Sequence, residues 1–231
     1  MIALVRMRLV AFVRGGRALP PIITALIVLG VIHGGGQSPA APAYGYSAVM
    51  LFPVLAWQAK LLLDAEPDGQ RRLARLAVGA RREVAAGLLA ASLVGLVFCA
   101  VAMLAPWWPF HAISAPGPGE PSLAAGLALG ALAHLLAVPA AVALGAVASR
   151  AVTRTVRNGV AVLVSGAVLT IVLGLSGSVA PWLAPPVMAT ARALAAEELP
   201  PAGRFWLLAS WTALWCAVVV GGYARLRRRR S

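Results

Sequence analysis

The chain has 231 residues, 61% of them hydrophobic and only 12% charged, with a formal net charge of +13. Soluble domains carry about twice that charged share, and apolar runs of about 20 residues recur along the sequence, so the chain reads as an integral membrane protein. The runs are continuous and rich in Ala, Leu, Val and Gly, which excludes the alternating segments of about 10 residues that build a transmembrane barrel and leaves an all-α class. In such a protein the basic excess reflects arginines gathered on the cytoplasmic side, not nucleic acid as a partner.

Residues 1–18 mix Ile2, Leu4, Val5, Leu9, Phe12 and Val13 with Arg6, Arg8, Arg14 and Arg17. This is a basic amphipathic segment, suited either to an interfacial helix with its arginines toward anionic headgroups or to the cytoplasmic start of the first span. The Pro20-Pro21 pair favours a break after it. The arginines are too dispersed, and Gly34-Gly35-Gly36 too unlike a cleavage site, for a signal peptide.

The sequence predicts six spans, at about 19–33, 44–63, 84–106, 122–149, 159–176 and 205–223, with both termini cytoplasmic. Lys60, the only lysine, is expected to snorkel from the inner end of the second span. Trp107-Trp108-Pro109-Phe110-His111 reads as an interfacial aromatic belt after the third. The fourth span holds Gly126-Leu-Ala-Leu-Gly130, either a helix-packing spacing or a coincidence in a chain so rich in Ala and Gly. Pro139 marks a kink candidate there. In this topology 18 of the 20 basic residues fall inside and only Arg192 and Arg204 outside.

Residues 64–83 form the long charged island between the N-terminal arginines and the C-terminal tail. They carry Asp64, Glu66, Asp68 and Glu83, four of the seven acids, with Arg71, Arg72, Arg75, Arg81 and Arg82. Pro67-Asp68-Gly69 and Gly79 bracket a short helix of two to three turns.

Catalytic signatures are missing. There is no GxxxxGK[ST] phosphate loop, no HExxH and no GxSxG. His134 stands alone within a span and is expected to hydrogen-bond a neighbouring helix. His33 and His111 are too isolated for a metal site, and Cys99 and Cys216 read as small buried hydrophobes. The Ser, Thr, Gly and aromatic content of the spans suits either a path for an amphipathic molecule or simple helix packing. The chain is therefore expected to be no enzyme and to hold no cofactor of its own.

Six spans, the basic amphipathic start, the charged loop between spans two and three and the long outer connection at 177–204 make a plan that resembles the permease subunit of type-2 ABC exporters. The most specific stretch is Leu76-Ala77-Val78-Gly79-Ala80-Arg81-Arg82-Glu83-Val84-Ala85-Ala86-Gly87-Leu88-Leu89, similar to that family's small-residue turn and basic pair before a span. The Ala/Arg/Val-rich composition is similar to actinobacterial chains, which implies a bacterial plasma membrane. The resemblance implies that 1–18 is a connecting helix and that 64–83 holds a coupling helix docking on a separate ATPase. It also implies that 181–198 dips back into the outer leaflet. Asp64, Glu66, Asp68 and Glu83 are all candidates for the family's docking acid, with Arg71, Arg72, Arg75, Arg81 and Arg82 around them. The implied partners are two ABC ATPase subunits holding ATP and Mg, a second identical or homologous permease, membrane lipids and a transported drug, peptide or lipid. A non-transporting anchor or sensor subunit shares the same topology.

Overall fold

The structure is a computed structural model describing residues 1–196 and 201–229, without the side chains of Asp68, Arg228 and Arg229. It is all-helical among these residues. The helices in chain order are α1 (Ile2–Arg14), α2 (Leu19–His33), α3 (Ala40–Leu63), α4 (Asp68–Val78), α5 (Ala80–Leu104), α6 (Leu123–Val147), α7 (Arg150–Thr153), α8 (Val156–Leu173), α9 (Val187–Leu194) and α10 (Ala202–Arg229).

Five helices (α3, α5, α6 with α7, α8 and α10) are long and apolar enough to cross a membrane. A sixth crossing is reached if α1 and α2, bent by 76° at their junction, count together. The bend has a local cause. Pro20 and Pro21 sit in the first turn of α2, where their missing N–H groups cost nothing, but they cannot continue a helix arriving from α1.

The spine is α3, which is buried along most of its length and packs most extensively on α6. Small residues make that seam. A Cβ added to Gly126 would lie 2.8 Å from the Ala40 Cβ, and one added to Gly130 would lie 2.5 Å from the Tyr44 Cβ. A third glycine, Gly145, meets Ala56, Ala59 and Lys60 near the other end. The Gly126–Gly130 spacing is thus a packing surface that lets two backbones approach closely. Both Pro53 and Pro139 lie inside continuous helices.

The bundle has two chemically distinct ends. At one, Phe110 packs on His33 with ring centroids 6.3 Å apart. There Ser38 pairs through its backbone with Ala112 and Ser114. Trp107 donates to the Tyr44 hydroxyl at 2.8 Å, and that hydroxyl donates to the Met103 carbonyl at 2.9 Å. The connection after α8 folds back over this end. Its α9 is buried against α3, where a Cβ on Gly45 would stand 3.2 Å from the Ala191 carbonyl. Glu197, Glu198 and Pro200 lie outside the described residues. The other end carries α1, α4, α7 and the arginine-rich end of α10.

The periphery is apolar. Val160, Val164, Val168 and Val172 line one exposed face of α8, and Trp206, Leu214 and Val218 are exposed on α10. In water such continuous apolar surface would drive association; against acyl chains it is the expected solvent-facing side.

Candidate functional site: a buried ion cluster at the basic end

The island residues separate into two groups. Glu66 and Glu83 turn into the protein and meet arginines from elements far apart in sequence. Glu83 opens α5 and is completely buried, and Glu66 follows the end of α3 and is 3% exposed. Arg8 of α1 forks onto Glu66, with Nε donating to Oε1 at 2.9 Å and Nη2 to Oε2 at 2.8 Å. The same guanidinium donates to the Glu83 backbone carbonyl at 3.0 Å and to its carboxylate. Arg227 of α10 donates through Nη2 to both Glu83 oxygens at 2.8 and 2.7 Å, and its Nη1 donates to the Tyr223 hydroxyl at 2.7 Å. Arg75 of α4 brings its Nε to 3.5 Å from Glu83 Oε2, an ion pair at the edge of hydrogen-bonding range.

Space for Arg8 is made by a glycine. A Cβ on Gly87, one turn beyond Glu83 in α5, would collide with the Arg8 guanidinium and touch Leu63 at 3.0 Å. Burial of Arg8 alone would favour loss of its proton, but the Glu66 and Glu83 carboxylates outweigh it and hold the pKa above that of an ordinary arginine.

Asp64 anchors a second group. Its carboxylate accepts from Lys60 Nζ at 2.9 Å and from the Arg150 backbone N–H at 2.8 Å, the donor that opens α7. Its carbonyl accepts from Arg17 at 2.6 Å and from the Arg150 guanidinium at 2.9 Å. Arg71 turns back from α4 and donates to the carbonyls of Leu63 and Glu66, satisfying acceptors at the end of α3. Together the two groups tie α1, α3, α4, α5, α7 and α10 at one end.

Several placements differ from the sequence expectation. Lys60 is 4% exposed and paired, so it does not snorkel to headgroups. Arg8 faces protein, whereas Arg6, Arg14 and Arg17 are exposed. Asp64, Glu66 and Glu83 are spent on internal partners, and the Asp68 side chain lies outside the described residues. Arg72, Arg81 and Arg82 remain on the surface.

Sequence reasoning missed Arg227 and the inward role of Arg8. One signal for Arg8 was present. It shares a helical stripe with Val5 and Phe12, the side on which α1 is buried.

At the opposite half, His134 is 1% exposed, with Nδ1 2.8 Å from the Gly130 carbonyl and Nε2 3.1 Å from the Ser47 hydroxyl on α3. It is a satisfied interhelical contact. Cys99 is buried outside any disulfide, and its thiol donates to the His134 carbonyl at 3.9 Å. No group of three or more metal-ligating side chains occurs among the described residues. The ion cluster joins α1, α4, α5 and α10 through shared buried charges.

No family model matches this chain, and neither a curated protein nor a solved structure was found to match it.

Proposed function

We propose that the chain is the membrane permease subunit of an ATP-binding-cassette exporter, moving an amphipathic or hydrophobic compound with energy from a separate ATPase. The observation that carries this reading is α4. Its 11 residues span about 16 Å at 1.5 Å per residue. Gly69, Arg72, Leu73 and Leu76 are exposed at i, i+3, i+4 and i+7, so they share one outward face. Leu73 and Leu76 are 67% and 84% exposed at the basic end, beyond the apolar belt. The inward face is fastened by Arg71 and Arg75. A basic and apolar face on a fastened helix suits docking by a partner protein.

In this reading six crossings leave both termini and α4 in the cytoplasm, with 1–18 as the connecting helix. Two permeases and two ATPase subunits assemble. ATP and Mg on the partner close the ATPase pair and carry α4 with it. The ion cluster passes that displacement to α1, α5 and α10 without slack. Such a cycle requires two discrete helix packings that the nucleotide states contact differently.

The test separates the two faces of α4. Arg72→Glu with Leu76→Glu is expected to lower ATPase binding at least tenfold while the permease inserts and folds as wild type. Arg71→Glu is expected to damage folding itself, because it removes donors from buried carbonyls and adds an acid beside Glu66. Wild-type ATPase affinity in the Arg72/Leu76 variant contradicts the proposal.

A further inference from the structure

A cleft of about 650 Å³ opens at the basic end between the end of α4, the start of α5 and the end of α10. Its lining changes character along α5. Arg75, Arg81, Arg82 and Arg227 stand around the polar part, and Val84, Leu88 and Val220 form apolar walls. Its size is that of a site for a small molecule or part of a lipid.

Charge in this cleft is unbalanced. Glu83 lies beneath it, but that carboxylate already serves Arg8, Arg75 and Arg227. Arg81 and Arg82 are exposed and make no ion pair among the described residues. Gly79, which precedes α5, supplies no side-chain cap to the first turn. The cleft thus presents two guanidinium groups without an ion pair among the described residues, beside apolar walls.

Those walls continue into exposed apolar surface. Farther along α5, Leu89, Leu93 and Val97 are exposed, and along α10 so are Leu214 and Val218. The cleft therefore lies where the arginine level gives way to the lipid-facing surface. A soluble anion would use only the arginines, and a docking protein would not reach the apolar walls. A molecule with a phosphate at one end and an acyl chain at the other uses both.

We infer that this cleft binds an anionic phospholipid, its phosphate on Arg81 and Arg82 and one acyl chain against Val84, Leu88 and Val220. Basic pockets between membrane helices favour such headgroups, each arginine near the surface adding several-fold in affinity. The inference requires only that the chain is embedded in a bilayer, and it stands apart from the ATPase reading.

Native mass spectrometry of the purified full-length protein tests it, with phosphatidylglycerol and phosphatidylcholine of identical chains as probes. Wild type is expected to prefer phosphatidylglycerol on the order of tenfold. Arg81→Ala with Arg82→Ala is expected to erase that preference. Ala85→Trp fills the cleft without changing charge and is expected to abolish tight binding of phosphatidylglycerol as well. Equal affinity for the two lipids in wild type overturns the inference. So does an undiminished preference in Ala85→Trp, which would mean that arginines attract lipid without the cleft. Displacement of phosphatidylglycerol by millimolar inorganic phosphate would remove the acyl chain's role and overturn it too. A cleft that seats a second copy of the chain would bind both lipids equally and lose dimer in Ala85→Trp, with the same consequence.

Discussion

Glu83→Ala is expected to destabilise the protein by about 3–5 kcal/mol, a large fraction of the total stability of a typical domain. The substitution removes the carboxylate that both Arg227 and Arg75 meet and strips Arg8 of one of its two acids. Desolvated guanidinium groups are costly when one partner is deleted, although an intact buried pair is close to neutral against an apolar replacement. That asymmetry supplies the control. Glu83→Leu combined with Arg227→Met removes both members of one pair and keeps the Arg8–Glu66 fork. The double variant is expected to be more stable than Glu83→Ala and to show strong non-additivity. Thermal unfolding of the purified variants reads both effects. Equal losses in Glu83→Leu alone and in the double variant would mean that the Glu83–Arg227 pairing contributes nothing to stability.

Gly145→Val is the second large effect, at about 3 kcal/mol. Its added Cβ would lie 2.5 Å from the Ala56 carbonyl oxygen, 2.8 Å from the Ala59 Cβ and 2.9 Å from the Lys60 backbone nitrogen. Two of those atoms belong to the α3 backbone and cannot rotate away, so α3 and α6 must part. Separation there also disturbs Lys60, whose ammonium holds Asp64. Gly221→Val on α10 is the comparison, since nothing lies within 4 Å of its Cβ position. The first variant is expected to lose folded protein in the same unfolding measurement and the second to stay near wild type. A Gly145→Val chain as stable as the Gly221→Val chain would show that the seam is loosely packed.

The helical membrane class was legible because it rests on run length and composition, which a single sequence displays directly. The helix at 68–78 was legible for a similar reason: Pro67 and Gly79 are local punctuation, and Gly79 takes φ +85°, a conformation that favours glycine. The ion cluster was not, because its geometry is tertiary. Arg8 and Glu83 are 75 residues apart, and Glu83 and Arg227 are 144 apart. Charges in the island read as solvated because nothing local says which side of α4 meets the bundle. Lys60 misled for the opposite reason. A lysine near the end of a span normally reaches headgroups, but here Asp64 stands one turn on and receives it first. The Gly126–Gly130 pair was ambiguous in a chain this rich in glycine, and only the facing Ala40 and Tyr44 give it meaning.

The connection between the cluster and α4 gives the account its central claim, that force enters through the outward face of α4. A photo-cross-linking amino acid at Leu76, in the tagged full-length chain within its native membrane, tests this most directly. A cross-link to a P-loop ATPase subunit is expected, its yield changing between ATP with vanadate and no nucleotide. Absence of any ATPase cross-link, with ATP leaving substrate movement in the same vesicles unchanged, would contradict it.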